Sequence, residues 1–282
     1  MQTVAIVGTG LIGASFGLAL RRIGFQGEII GVSSEGALAE AKAAGAISCS
    51  APLNESARAA DLIYLSQTVD RILDTLSRLA KYVQPGVLVT DSGSTKVTIV
   101  SKAAECLSHV CFVGGHPLAG KEVRGACSAD ADLFRGRPYV LTPPQGVHSR
   151  HLDSFRAALE KMGALIVEAS PDEHDAALAF TSHLPQLLAT ALEGTLHEQG
   201  NPAFRDLHGA GLLDMTRLAL SSPDLWSAIL AQNREHVLTA LNKFLARCTN
   251  IRDSVAMGNI SEVFLKGQEF ALWVRGEKNL MR

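Results

Sequence analysis

The sequence lacks the charge excess and the long apolar runs that several classes of protein require. Its 26 Lys and Arg residues are offset by 28 Asp and Glu residues, which gives a net charge of −2. A nearly neutral chain offers no basic field to nucleic acid or to an anionic membrane surface. No apolar run approaches the ~20 residues of a membrane-spanning helix. We therefore expect partners that are neither nucleic acid nor membrane.

The sequence also has little cysteine and no metal-binding motif. Its five cysteines are odd in number and show no CxxC spacing, which argues against a disulfide framework and a zinc site. Neither HExxH nor a His-x3-His pair occurs, so we expect no metal. The first residues lack the charged start of a signal peptide and enter a strand pattern at once. Together these features predict a cytoplasmic protein whose thiols stay reduced.

What is present indicates a globular chain of about two domains. Apolar residues make up 47% of the sequence and charged residues only 19%, which is typical of a folded protein. The first part alternates helical patterns with apolar runs that predict strands at 3–7, 28–32, 62–65, 87–90, 111–113, 139–142 and 165–168. From Ser170, which opens a capping-box sequence, the pattern is almost wholly helical. We predict an α/β domain with a parallel sheet over residues 1–170 and an all-helical domain over 171–282.

A glycine-rich loop follows the first strand. Residues 8–13 read GTGLIG, which fits G-x-G-x-x-G, and they lie between a strand and an amphipathic helix, the context that this motif requires. The glycines permit a tight turn, a close approach of a pyrophosphate and close helix–strand packing. The predicted dinucleotide contacts are Gly8, Gly10, Leu11, Ile12 and Gly13.

The end of the second strand bears on the choice of dinucleotide. An acidic residue is expected about 20 residues after the loop, where it bonds the ribose of NAD and repels a 2′-phosphate. This chain has Ser33 and Ser34 there, and two hydroxyls can donate to a phosphate. The pattern favours NADP, although Glu35 could still reach a ribose, so NAD remains the alternative.

Two polar segments follow predicted strands at the edge of the sheet where ligands bind. They read DSGSTK at 91–96 and GGHPLAGKE at 114–122. His116 in the second segment is placed to meet both a nicotinamide and a substrate. An imidazole can remove a hydroxyl proton while a hydride leaves the same carbon. We therefore predict His116 as a general base.

Five motifs in this order resemble the prephenate/arogenate dehydrogenases of tyrosine biosynthesis, over nearly the whole chain. They are GTGLIG at 8–13, DSGSTK at 91–96, GGHPLAG at 114–120, SHLP at 182–185 and DMTR at 214–217. The resemblance implies a Rossmann-type domain followed by a helical domain that binds substrate and forms a homodimer. It also implies NAD(P)-dependent oxidative decarboxylation of prephenate to 4-hydroxyphenylpyruvate, or of arogenate to tyrosine.

By the same resemblance, His116 is the base that deprotonates the ring hydroxyl, and Ser94 helps to orient it. Arg217 matches the arginine that receives a substrate carboxylate, which agrees with the bidentate chemistry of a guanidinium.

Three further positions match polar residues of the family's active site. Glu122 and His183 are expected to bind substrate. Many relatives have a second histidine where this chain has Gln186, near the substrate side chain. A neutral amide could bond the keto group of prephenate or the ammonium of arogenate, so the substrate stays open between them.

Pro185 lies inside a helical run, so we expect an irregular helix near His183. His174 precedes His183 by nine residues, or about 900° around a straight helix. The spacing predicts that these two side chains face nearly opposite ways.

Two other functions remain open. A β-hydroxyacid dehydrogenase also joins a dinucleotide-binding domain to helices, but it needs a catalytic lysine on an interdomain helix. No lysine occurs between Lys161 and Lys243. A non-catalytic dinucleotide sensor needs no base, so replacement of His116 would change no activity.

Overall fold

The computed structural model describes residues 1–144, 146 and 149–277; the last five residues of the predicted helical domain lie outside this range. In the described part, the strands are β1 (Thr3–Val7), β2 (Glu28–Val32), β3 (Cys49–Ser50), β4 (Leu62–Leu65), β5 (Leu88–Asp91), β6 (Cys111–Pro117), β7 (Pro138–Thr142) and β8 (Leu165–Glu168). The α-helices are α1 (Leu11–Arg22), α2 (Glu35–Ala43), α3 (Leu53–Ala59), α4 (Val69–Leu79), α5 (Val97–Cys106), α6 (Arg150–Lys161), α7 (Pro171–Leu178), α8 (Leu184–Gln199), α9 (Ala210–Thr216), α10 (Pro223–Gln232), α11 (Arg234–Ala256) and α12 (Ser261–Val274).

The strands form one sheet in the order β3-β2-β1-β4-β5-β6-β7-β8. All neighbouring strands are parallel except β6 and β7. The first six positions have the order of a dinucleotide-binding Rossmann sheet, whose ligand crevice lies where the strand order reverses, between β1 and β4. The predicted fold class is confirmed.

Both faces of the sheet are covered, which explains the unbroken apolar runs of the central strands. Successive side chains of a strand point to opposite faces. On β1, Val4 and Ile6 belong to one buried cluster, whereas Ala5 and Val7 belong to the other. Burial on both faces fixes β1 in place, and the loop that follows it is therefore held rigidly at the crevice.

Strand β6 is longer than the sequence predicted. We expected it to end at residue 113, with His116 in the following loop, but β6 runs through Pro117. Its first half pairs in parallel with β5, and residues 114–117 pair antiparallel with β7. The prediction was wrong because this second pairing partner lies more than twenty residues further along the chain. His116 is consequently held by strand hydrogen bonds.

The described chain divides into two compact units, Met1–Arg234 and the residues from Glu235 onward. The first unit contains the sheet and all helices from α1 to α10. The second contains α12 and most of α11. The predicted division at residue 170 stays a prediction.

Candidate active site

The glycine-rich loop lies between β1 and α1, at the reversal of strand order. Gly8 has φ +93°, and a Cβ there would lie 2.3 Å from the carbonyl oxygen of Ser66. A Cβ on Gly13 would lie 2.0 Å from the carbonyl oxygen of Gly8. Gly10 is different, because a Cβ on it would meet no heavy atom of the described residues within 4 Å. Gly8 and Gly13 are therefore required by the fold, whereas Gly10 keeps space open beside the loop.

The first turn of α1 presents backbone N–H groups to this space. Gly10 is the N-cap residue, and neither a side-chain cap nor an acidic side chain occupies the first turn. Leu11 and Ile12 are half-buried there. The hydroxyl of Thr9 donates to the carbonyl oxygen of Ala37 at 3.1 Å and so fixes the loop against α2. This arrangement fits the pyrophosphate of a dinucleotide.

Ser33 and Ser34 lie where β2 ends and α2 begins. Both are exposed, and neither hydroxyl makes a hydrogen bond to the described part of the chain. Glu35, the first residue of α2, is exposed as well. The two hydroxyls are therefore free to bind a ribose or its phosphate.

His116 is partly exposed near the end of β6. Its Nδ1 lies 2.8 Å from Nε2 of His174, with the two rings edge to face. Desolvation by burial holds the pKa of His116 well below 6.5, and the nearby His174, Lys96 and His183 lower it further. The imidazole is consequently neutral at pH 7 and can accept a proton.

Asp175 stands behind His174. Its Oδ1 lies 2.7 Å from Nδ1 of His174, and the carboxylate accepts the backbone N–H groups of Lys96 at 2.7 Å and Val97 at 2.9 Å. Burial alone would raise the pKa of Asp175, but these hydrogen bonds outweigh it and lower the pKa. Asp175 therefore remains a carboxylate although it is only 1% exposed.

A fully buried ion pair, Lys96 with Asp91, lies beside β6. Lys96 Nζ also donates to the carbonyl oxygen of Gly115 at 2.8 Å. Asp91 accepts the N–H groups of Gly93 at 2.7 Å and Gly115 at 3.1 Å. Burial raises the pKa of Asp91 and lowers that of Lys96. The pair therefore binds both the N–H and the carbonyl oxygen of Gly115, the residue immediately before His116.

His174 and His183 do not face opposite ways, as a straight helix would require. Residues Ala179–His183 form a π-helical turn between α7 and α8, which changes the angle between successive side chains. Asn233 Nδ2 donates to the carbonyl oxygen of Asp175 at 2.7 Å and lies 3.2 Å from Nδ1 of His183. Both histidines therefore belong to one buried polar cluster.

The remaining substrate-binding candidates lie on other segments. Arg217 Nη1 lies 2.6 Å from Oε1 of Glu122, and both side chains are more than half exposed. Gln186 Nε2 donates to the carbonyl oxygen of Leu218 at 2.8 Å. Its Oε1 is buried and has no partner among the described residues. Gln186 thus braces the turn that carries Arg217.

Ser94 is half-buried in the loop after β5 and makes no hydrogen bond to the described residues. The structure thus joins His116 to His174, and Arg217 to Glu122, but leaves Ser94 unbonded. The described ranges contain no group of three or more side chains that could hold a metal.

Sequence reasoning gave no role to His174, Asp175, Lys96 or Asn233. The one available signal was a His-Asp pair in the first turns of a helix, which is too common to single out. The assignments of individual site residues stay predictions.

Two family models match consecutive parts of the chain. Residues 16–168 match the nucleotide-binding domain of prephenate dehydrogenase, and residues 170–267 match its dimerization domain.

Individual proteins agree with these matches. The prephenate dehydrogenase of Bacillus subtilis is 32% identical over 269 residues, which cover 93% of this chain and 72% of that protein. A crystal structure of prephenate dehydrogenase from A. aeolicus in complex with hydroxyphenyl propionate and NAD+ has a TM-score of 0.89 and 29% identity, with 99% of both chains covered. The arogenate dehydrogenase of Synechocystis has a TM-score of 0.81 and 28% identity, with 95% of this chain and 96% of that chain covered.

Proposed function

The chain belongs to the prephenate dehydrogenase family, and on that premise we propose that it oxidises and decarboxylates prephenate or arogenate with a nicotinamide dinucleotide. The observation that carries this proposal is the place of His116 on β6, where its Nδ1 lies 2.8 Å from Nε2 of His174. The other ring nitrogen, Nε2, is therefore the one left to meet a substrate hydroxyl.

His116 would act on the hydroxyl of the cyclohexadienol ring. A bound NAD(P)+ supplies the acceptor for the hydride that leaves the ring carbon bearing this hydroxyl. His116 takes the hydroxyl proton on Nε2 as the carbon–oxygen bond gains carbonyl character. The ring carboxylate then leaves as CO2, its electron pair makes the ring aromatic, and the proton returns to the phenolate oxygen. Since aromatisation drives the reaction, the chain has to supply orientation and one base.

The same loop geometry supports the cofactor assignment. Gly10 leaves open space beside uncapped N–H groups at the start of α1, which fits a pyrophosphate. We assign NADP as the preferred dinucleotide because the exposed hydroxyls of Ser33 and Ser34 can bond a 2′-phosphate. NAD is the alternative, and Glu35 would then bond the ribose.

Arg217 is the proposed partner of a substrate carboxylate. In this structure it pairs with Glu122, and an exposed pair of this kind is worth about 0–1 kcal/mol. A substrate carboxylate can therefore replace Glu122 at little cost. Gln186 offers a buried acceptor oxygen that has no partner in the described part of the chain, which suits the ammonium of arogenate, whereas its NH2 group already donates to the carbonyl oxygen of Leu218.

The domain division at residue 170 and a homodimer belong to the same proposal. The matched family ranges meet near residue 170, and the second matched range is a dimerization domain. Apolar side chains on α12, such as Phe264 at 72% and Leu265 at 61% exposure, are left for a second copy to cover.

Five free cysteines agree with a cytoplasmic location. In the described ranges, no helix is both long and apolar enough to cross a bilayer.

The direct test is a steady-state assay that combines prephenate or arogenate with NAD or NADP and follows nicotinamide absorbance. We expect turnover with at least one of the four combinations, and the best one identifies substrate and cofactor. No turnover in any combination, from a folded protein that still binds a dinucleotide, would overturn the proposal in favour of a sensor. The family matches over residues 16–168 and 170–267 count against the β-hydroxyacid dehydrogenase alternative, as does the absence of lysine from residues 162–242.

A further inference from the structure

The polar cluster behind His116 forms a linear chain of three side chains, and we propose that His174 and Asp175 hold His116 in the tautomer that can act as a base. Nδ1 of His116 lies 2.8 Å from Nε2 of His174, and Nδ1 of His174 lies 2.7 Å from Oδ1 of Asp175. Only the kinetic consequences of this inference rest on the proposed function. His174 and Asp175 act through His116, so they are positioning residues.

The direction of the chain is set at the Asp175 end. Its carboxylate accepts the backbone N–H groups of Lys96 and Val97, which can only donate. An ionised carboxylate can only accept, so Nδ1 of His174 must carry a hydrogen. In its imidazole form, His174 then has its lone pair on Nε2, which accepts a hydrogen from Nδ1 of His116. His116 is consequently protonated on Nδ1 and bare on Nε2.

The same chain stabilises His116 after it has taken the substrate proton. The hydroxyl O–H bond breaks, an N–H bond forms at Nε2, and His116 becomes a cation. Its Nδ1–H then donates more strongly to His174, whose own Nδ1–H donates to the carboxylate of Asp175. No proton leaves the chain, so His116 can return the proton to the product.

The other charged and titratable groups around His116 do not supply this stabilisation. Among the described residues, Lys96 and His183 also act on the charge of His116, and each makes a positive charge there less favourable. Lys96 is already paired with Asp91. Asp175 is therefore the carboxylate left to offset the charge that develops on His116.

Tautomers can be measured without substrate or cofactor, by 15N NMR of histidine side chains at neutral pH. We expect His116 in the wild-type enzyme to carry its hydrogen on Nδ1. His174→Gln should preserve this state, because its amide can donate to Asp175 and accept from His116. His174→Phe removes the acceptor and should give a mixture of tautomers. A wild-type His116 protonated on Nε2 would overturn the proposal, and this result does not depend on the reaction.

The kinetic test uses the same variants in the full enzyme. His174→Phe should lower kcat about 10²-fold or more, while His174→Gln should stay within about tenfold of wild type. KM for the dinucleotide should not change in either variant. Asp175→Asn should also lower kcat at least about 10²-fold, since the corresponding change in the serine-protease triad costs about 10⁴-fold through the wrong tautomer. The exposed His197→Gln on α8 is the matched control and should leave kcat unchanged.

Two kinetic outcomes contradict the proposal. If His174→Phe folds and keeps its kcat, the chain has no bearing on the base. If the Gln and Phe variants lose activity equally and melt at equally reduced temperatures, His174 is structural only. Should His174→Phe fail to fold, the tautomers of the wild type and of His174→Gln still decide. If His116 carries its hydrogen on Nδ1 but the enzyme shows no turnover, this inference stands and the proposed function is refuted instead.

Discussion

Replacement of His183 by Gln should make the free energy of unfolding less sensitive to acid. His183 is 1% exposed, its ring meets Trp226 edge to face at 5.8 Å, and its Nδ1 faces the amide of Asn233 at 3.2 Å. The other N–H of that amide donates to the backbone carbonyl oxygen of Asp175. Nδ1 of His183 must therefore accept, and a proton placed there would confront the Asn233 N–H. Burial lowers the pKa of His183 to about 4, with His174 adding to this and Asp175 opposing it.

The sign follows from the two pKa values. The folded pKa lies below the unfolded value of about 6.5, so the unfolded chain binds more protons between them. The stability that His183 contributes is complete above the unfolded pKa and is lost as the pH falls toward the folded pKa. The loss amounts to about 2 kcal/mol at pH 5 and about 3 kcal/mol at pH 4, relative to pH 7. Gln does not titrate, can accept the same hydrogen bond, and should lose none of this.

The assay is urea unfolding of wild type and His183→Gln at pH 7, 6, 5 and 4, followed by tryptophan fluorescence at one fixed protein concentration. Between pH 7 and pH 5, the free energy of unfolding of the wild type should fall by about 2 kcal/mol more than that of the variant, and by about 3 kcal/mol more between pH 7 and pH 4. Groups distant from His183 titrate equally in both proteins and cancel in the difference. In the control His197→Gln, at an exposed position, the free energy of unfolding should change with pH as it does in wild type. A difference between wild type and His183→Gln that stays constant with pH would refute the reasoning, because it would mean that His183 has an ordinary pKa.

Four further substitutions test the proposed site. His116→Asn should lower kcat by about 10²–10⁴-fold with dinucleotide affinity intact, and a loss below tenfold in steady-state assays would remove His116 as the base. Arg217→Ala should raise KM for the substrate by about 10–10³-fold, since it leaves a substrate carboxylate unpaired. An unchanged KM would mean that Arg217 is a solvated surface residue that does not bind substrate. Gly10→Ala should keep the melting temperature but weaken dinucleotide binding at least about tenfold, because its Cβ enters the space left for the pyrophosphate. Gly13→Ala should instead lower the melting temperature, since its Cβ would collide with the Gly8 carbonyl; calorimetry and dinucleotide titration separate the two.

The fold was predictable wherever a local pattern determined it. The runs at β1, β4 and β5 are apolar without alternation because both faces of the sheet are covered. The strand β3, with two residues, is too short to give any pattern, and the sequence did not predict it. The end of β6 was misplaced because residues 114–117 owe their extended form to pairing with β7.

The candidate site divides along the same line. The glycine-rich loop and His116 could be found because each lies within a short motif at the end of a strand. The contacts behind His116 could not, because they join residues 58 and 79 positions apart. The prediction that His174 and His183 face opposite ways failed because of the π-helical turn before α8. One turn of different pitch rotates His183 relative to His174.

The buried charges near β6 are best understood as fixing position. A buried ion pair contributes little net stability, because the cost of desolvation offsets much of the attraction. Lys96 and Asp91 nevertheless make three hydrogen bonds to the backbone of Gly93 and Gly115. Asp175 likewise accepts the first N–H groups of α5 and so ties α7 to the loop after β5. Each of these charges bonds backbone beside His116 or the side chain behind it, so the network holds the base in both place and tautomer.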